Sequence, residues 1–228
     1  MPKTLLESDG FLGLFGGAAV SDALLDEVLA LSSRSVAADG GATHLLRRGL
    51  MPDLVIGDMD SLSPVDRALI PADRVHPVAE QDTTDFDKAL RHVRAPVVIG
   101  AGFSGARTDH ALAAFTVLSR HADRRCVLAG EDDVIFLCPP RIELEPRPGS
   151  WFSLYPLGPV TGRSEGLEWP IDGLEFAPHS RVGTSNRVTG PVRIEVSAPL
   201  MLAITPRAEL AATVRAFSAA PARWPARA

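Results

Sequence analysis

Two carboxylates, Asp58 and Asp60, follow an apolar run in "PDLVIGDMDSL", and a third, Asp39, closes the run "SVAADGG" in the same way. A spacing of two along an extended chain sends Asp58 and Asp60 to one side. Like charges held close repel and raise each other's pKa unless a cation sits between them. A solvated loop accommodates such a pair; so does Mg2+, which takes one or two carboxylates together with substrate phosphates. Gly40 and Gly41, beside Asp39, let a ligand approach the backbone.

The stretch "EQDTTDFDKAL" extends the set. Asp82 is placed to cap a helix with Asp85 at its third position. Capping accounts for both acids but not for Gln81 beside them or for Lys88 one turn on. A helix start followed by a lysine can receive phosphate oxygens and neutralise their charge. "GARTDH" then offers Arg107 as a planar cation with Asp109 and His110 at another helix start, a pattern that structural ion pairs share.

Composition singles out the same places. The chain has 21 arginines but two lysines, Lys3 and Lys88, one glutamine, Gln81, and one asparagine, Asn186. Average usage would give each amide roughly nine copies in a chain of this size, so the survivors point to required chemistry.

Several classes are disfavoured. A net charge of −5 across 228 residues argues against a general nucleic-acid binder, and nine acids face two arginines between Asp53 and Asp87. No apolar stretch approaches the roughly 18 residues of a membrane span, and Glu7 and Asp9 interrupt the N-terminus, so a cytoplasmic protein without membrane attachment is expected. Cys126 and Cys138 lack metal spacing and read as reduced core thiols. "GAGFSG" fits GxGxxG, but in a late β-α unit with no well-placed acid after it, which suits a loop for some phosphate other than a dinucleotide's. P-loop, GxSxG and HExxH patterns are missing from the sequence.

The elements that must position these residues alternate. "FLGLFGG", "SVAADGG", "PDLVIGDMDS", "APVVIGAG" and "RCVLAGEDDVIFLC" read as strands, and "SDALLDEVLALS", "ATHLLRRG", "TTDFDKALRHV" and "TDHALAAFTVLSRH" as helices. That order predicts an α/β fold, a mostly parallel sheet flanked by helices whose ligands bind beyond the carboxyl ends of the strands. From "PPRIELEPRPGS" onward, short strands such as "WFSLYPL", "VRIEV" and "LMLAI" predict an antiparallel β-sandwich, followed by one helix, "AELAATVRAF". The predicted division is residues 1–140, 141–212 and a tail over 213–228, of which "SAAPARWPARA" reads as loose.

In order and spacing, "ADGGATHLL", "PDLVIGDMDSL", "EQDTTDFDKAL", "GARTDHALA", "SLYPLGPVTGRSEGLEWPI" and "VGTSNRV" resemble the thiamine pyrophosphokinases over about residues 11 to 205. The resemblance implies an N-terminal α/β domain for ATP and Mg2+, a C-terminal β-sandwich for thiamine, and a homodimer with active sites at the subunit interface. It implies pyrophosphate transfer from ATP to the thiamine hydroxyl, with Asp39, Asp58, Asp60 and Asp85 as the metal and ATP carboxylates. Gly40, Gln81, Thr84, Lys88, Arg107, Asp109 and His110 would line the nucleotide site; Gln81, Thr184, Ser185 and Asn186 would meet thiamine. Asp58, Asp60, Asp85, Lys88, Arg107 and Asp109 would carry catalysis, with Asp85 or Asp109 as the general base. Where some members have a stacking tryptophan after the SN pair, this chain has Arg187, Val188 and Thr189, and Trp169 reads as a packing residue. Two other readings stay open: a pyrophosphokinase for another alcohol such as a hydroxymethylpterin, and a sensor of nucleotide or thiamine without turnover.

Overall fold

Strands that are apolar at every position have both faces covered, and such runs build the first half of the molecule. A computed structural model of the chain describes residues 3–80, 82–105 and 107–226. It divides into two compact units, Met1–Val117 with Leu128–Glu131, and Leu118–Val127 with Asp132–Ala228. The strands run in mixed directions, with helices between them.

In the first unit the chain forms β1 (Leu6–Glu7), β2 (Leu12–Phe15), α1 (Asp22–Leu31), β3 (Arg34–Ala38), α2 (Ala42–Arg47), β4 (Leu54–Gly57), α3 (Pro64–Leu69), β5 (Val75–Pro77), α4 (Asp85–His92), β6 (Val93–Arg94), β7 (Val98–Ala101) and α5 (Thr108–Arg120). Strands β5, β4, β3, β2 and β7 pair side by side in that order, all parallel. Residues of β2, β4 and β7 are buried throughout, as continuous apolar runs require. Ser21 caps α1 as its position predicts, its Oγ accepting from the Leu24 amide at 3.2 Å. Beneath the strand ends a buried cluster of Ala37, Ala42, Val55, Leu62, Ile70 and Val75 anchors the loops after β3 and β4.

The strand β8 (Cys126–Ala129) is divided between the units. The second unit then continues with β9 (Asp133–Leu137), β10 (Arg141–Leu144), β11 (Trp151–Pro156), β12 (Val160–Leu167), β13 (Glu175–Phe176), β14 (Gly183–Val196), β15 (Met201–Pro206) and α6 (Leu210–Ala219). Its pairings are antiparallel: β9 with β15, β15 with β11, and β11 with the first part of β14. The rest of β14 pairs with β10 and β12, so one strand of 14 residues serves two ladders.

Two predicted boundaries are corrected. The stretch before residue 140 belongs to the second unit from Asp132, because β9 is laddered to β15 and the Cys138 amide donates to the Met201 carbonyl at 2.8 Å. The predicted helix "AELAATVRAF" is present as α6, so the tail drawn from residue 213 is helical to Ala219: Thr213, Val214 and Phe217 are buried, and Phe217 meets Phe136 with ring centroids 5.4 Å apart. Beyond it the Trp224 Nε1 donates to the Cys138 carbonyl at 2.9 Å. Cys126 and Cys138 are free, buried thiols, and burial pushes that of Cys138 up to about 12. Among the described residues no helix is long and apolar enough to cross a membrane.

Candidate active site

The carboxyl ends of β3 and β4 deliver the acids. Asp39 leaves β3 with φ 47°, in the left-handed region, and begins a 3-10 turn. At Gly41 a Cβ would stand 2.0 Å from the Phe15 carbonyl oxygen, so only glycine lets this turn press against the end of β2. Gly40 is packed beside Ser61, where a Cβ would come 3.0 Å from the carbonyl oxygen. Asp39 is 2% exposed; its Oδ2 accepts from the Ser61 amide at 3.2 Å, while Oδ1 is buried without a hydrogen-bond partner. Burial pushes its carboxyl up to about 6, the Ser61 amide pulling the other way and Asp85, Asp60 and Asp58 adding to the rise.

Asp58 and Asp60 come together by a different route from the predicted one. The segment is not extended: Met59 takes φ 68° and packs against the apolar cluster below the strand ends. A left-handed residue between them turns the backbone, so Asp58 Oδ1 accepts from the Asp60 amide at 3.3 Å and Asp60 Oδ1 from the Ser61 hydroxyl at 2.8 Å. Each of Asp39, Asp58 and Asp60 can then offer an oxygen within 4.8 Å of the others.

Asp85 stands beside this trio. The cap of α4 is Thr84, whose Oγ1 accepts from the Asp87 amide at 3.3 Å, which corrects the placement of Asp82 as cap and puts Asp85 at the first helical position. Gly57 makes room for it: a Cβ there would stand 2.8 Å from the Asp39 Cβ and 3.2 Å from the Asp85 Oδ1. Lys88, one turn on, is 1% exposed and its Nζ donates to Asp58 Oδ2 and Asp85 Oδ1, both at 3.0 Å. Burial draws the Lys88 pKa down, but the two carboxylates outweigh it and hold it above its usual value. Lys88 in turn lowers that of Asp58. In this arrangement the lysine is the counter-ion of Asp58 and Asp85.

An arginine that sequence reasoning missed braces the approach to α4. Arg91 reaches back to Glu80 at 2.9 Å and to the Thr83 hydroxyl at 3.3 Å, on either side of Gln81. Gln81 itself lies outside the described residues. The place of Arg91 on the predicted helix, one turn beyond Lys88, was the available signal. The glycine-rich loop after β7 tucks Phe103 against Phe86 of α4, with centroids 4.4 Å apart.

Arg107, Asp109 and His110 lie at the start of α5, exposed. Arg107 makes two hydrogen bonds to Asp109, at 3.1 and 2.6 Å, with side chains 68% and 63% exposed. This is the ion-pair arrangement that the sequence left open, and Arg107 holds the Asp109 carboxyl below its ordinary range.

In the second unit Thr184 and Ser185 are exposed on β14 and Asn186 is buried. Ser185 has φ 62°, at an irregularity in the β11 ladder, and its amide donates to the Ser153 hydroxyl at 2.9 Å. The Asn186 side chain is turned inward: Oδ1 accepts from the Trp169 amide at 3.1 Å and the Arg187 amide at 2.8 Å, while Nδ2 donates to the Trp169 carbonyl at 2.6 Å. Trp169 is not a packing residue, being 54% exposed.

Chemically, three convergent carboxylate oxygens, from a trio in which Asp39 also has a buried oxygen without a partner, fit a hard divalent cation, which favours oxygen donors over thiolate or imidazole. Comparison with known proteins bears on what such a site serves. The family model described as "Thiamin pyrophosphokinase, catalytic domain" matches residues 25–128, and that described as "Thiamin pyrophosphokinase, vitamin B1 binding domain" matches residues 141–201. Thiamine pyrophosphokinase 1 of Oryza sativa subsp. japonica is 30% identical over 207 residues, 75% of this chain and 78% of that one. This chain belongs to the thiamine pyrophosphokinase family. Thiamine pyrophosphokinase 1 of Arabidopsis thaliana is 28% identical over 188 residues, covering 66% and 69% of the two chains. The fold is shared with the thiamin pyrophosphokinase of Candida albicans, at a TM-score of 0.74 and 17% identity over 87% of this chain and 88% of that one. The catalytic-domain match spans every member of the acidic cluster, and the B1-binding match spans Trp169 and Asn186.

Proposed function

We propose that this protein is a thiamine pyrophosphokinase, a diphosphotransferase that moves the pyrophosphoryl group of ATP to the hydroxyl of thiamine and releases AMP. The observation that carries the reading is the convergent trio Asp39, Asp58 and Asp60, with one oxygen of Asp39 buried and unpartnered, inside the span that matches the family's catalytic domain. The thiamine hydroxyl oxygen forms a bond to the β-phosphorus of ATP while the bond from that phosphorus to the bridging oxygen of AMP breaks. The hydroxyl proton passes to solvent or to a carboxylate. Transfers of this kind depend mainly on position and charge.

Mg2+ bound by Asp39, Asp58 and Asp60 would neutralise the polyphosphate and fix its orientation. The chain's own residues do the remainder. Lys88 holds Asp58 and Asp85 in place and prevents the four carboxylates from repelling one another apart. Asp85, engaged by Lys88, serves as an orienting group near the trio. Asp109 is paired with Arg107 through two hydrogen bonds. Arg107, Thr84, Gly40, Gln81 and His110 belong to the nucleotide side of the reading. Thr184 and Ser185, exposed on β14, belong with the thiamine side. The active form is a homodimer with its sites at the subunit interface, and the second unit is a sandwich whose two ladders share β14.

Purified protein incubated with ATP, Mg2+ and thiamine should yield AMP and thiamine diphosphate in equal amounts, and none when the metal is chelated. AMP formed with a hydroxymethylpterin but not with thiamine would overturn the choice of acceptor. ATP binding without AMP in either case would leave a sensor.

A further inference from the structure

Two imidazoles meet at the end of α4 opposite the one that carries Asp85 and Lys88. His92 is the last residue of that helix, and His76 lies on β5, which pairs with β4 alone. Strand alternation sends Val75 into the buried cluster and His76 to the other face. There its ring stands 5.7 Å from that of His92, centroid to centroid, with the planes inclined at 56°. Neither histidine has a part in the pyrophosphate transfer.

His92 is firmly mounted. Its carbonyl accepts from the Leu5 amide at 2.8 Å, and its Nδ1 lies 2.7 Å from the Lys3 carbonyl oxygen. A carbonyl can only accept, so Nδ1 carries the proton and the lone pair of the neutral ring is left on Nε2. A backbone carbonyl that fixes the tautomer in this way is what a metal-binding histidine ordinarily has behind it. His76 has no hydrogen bond among the described residues to occupy its nitrogens. Burial, with His92 and Lys3 adding to it, holds its pKa below the ordinary value, which favours the neutral ring that ligates.

The spacing suits a shared ion. An imidazole bound at about 2.0–2.1 Å has its centroid roughly 3.2 Å from the metal, so two rings on one tetrahedral ion stand about 5.2 Å apart. The separation found differs from that by about half an ångström, and both side chains are half-buried, which leaves the rest of the ion open to water. We propose that His76 and His92 form a two-imidazole site for a borderline divalent transition ion such as Zn2+ or Cu2+, joining β5 to the end of α4 and to the N-terminal segment. The donor set separates it from the acidic trio, because imidazole nitrogen suits Zn2+ and Cu2+ whereas carboxylate oxygen suits Mg2+. The site stands whether or not the protein transfers pyrophosphate.

Calorimetric titration of Zn2+ into the whole chain at pH 7.5, with Mg2+ in large excess to fill the acidic trio, should show one site. His76→Gln and His92→Gln should each weaken it roughly tenfold or more, and the double variant should fall little below either, since both rings are needed to chelate. Zn2+ should raise the melting temperature of the wild type and of neither variant. Cu2+ in place of Zn2+ should give an electron paramagnetic resonance spectrum with two coupled nitrogens in the wild type and at most one in each variant. Both rings are partly open to water, so the metal-free variants should melt with the wild type; asparagine replaces glutamine at a position where they do not. Absence of saturable Zn2+ binding beside Mg2+, equal binding in the wild type and both variants, or Cu2+ spectra that neither substitution alters would each overturn the site and leave a plain ring contact.

Discussion

The two units treat their rarest polar residues alike and their neighbourhoods in opposite ways. Lys88 and Asn186 are both buried, and both direct every described hydrogen bond inward, one to carboxylates and the other to backbone. Around Lys88 the charge remains unbalanced, with four carboxylates and an oxygen of Asp39 lacking any partner. Around Asn186 no buried polar side-chain atom among the described residues lacks a partner, and the Trp169 ring beside it is exposed. A site that must hold a cation and polyphosphate keeps unmet negative charge, whereas one that must present a shape satisfies its polar groups and exposes the shape.

The strongest break of that contrast is Lys88→Met. Removing the ammonium leaves Asp58 and Asp85 without their counter-ion, and losing one partner of a buried pair costs about 3–5 kcal/mol. Urea denaturation should show a lowered midpoint, and pairing the change with Asp85→Asn should recover part of it. A midpoint that stays put would mean that the buried pair is not holding the cluster.

Next is Asp60→Asn, which removes a charge with little change of volume at an exposed position. Turnover should fall on the order of a hundredfold with the melting curve unchanged, because only the convergent charge is lost. Activity close to that of the wild type would reduce the motif to a loop feature.

A smaller effect concerns stability and pH. Asp39 has its carboxyl raised from 3.8 to about 6 in the folded chain. The native state therefore binds this proton more tightly than the unfolded state, so the group's contribution to stability falls as pH rises from about 4 through 6 and then levels. In EDTA, Asp39→Asn should stabilise the protein at pH 7.5 by on the order of 1–2 kcal/mol, a gain that fades below pH 6. A gain independent of pH would place its cause in packing instead of charge.

How much of this could be read in the sequence differs between the units for a physical reason. Continuous apolar runs and Ser21 report strands and a cap directly, since local pattern and burial agree there. The short helix α3, which has no buried residues, and the three-residue β5 carry too little pattern to be seen. The acids were legible as a set. Their mode of assembly was not, because a left-handed Met59 packed on the core is a tertiary effect that no period of two encodes. Asn186 was legible as unusual, whereas its hydrogen bonds to the backbone were not: a lone amide gives no sign of whether its partners are a ligand or the chain itself.

The smallest expected effect sharpens the contrast at its weakest point, the exposed pair of Arg107 and Asp109. Ion pairs so open to water contribute little to stability, so Arg107→Ala should leave the melting temperature unchanged. If the guanidinium leaves Asp109 for a phosphate when ATP binds, KM for ATP should rise severalfold, with the rise reduced at high ionic strength. Asp109→Asn should then lower KM for ATP, because the competing carboxylate no longer holds the arginine. Opposite shifts in the two variants identify an arginine held in reserve for the nucleotide. No shift in either returns the pair to a surface contact, and the acidic trio with Lys88 would carry the phosphate chemistry without it.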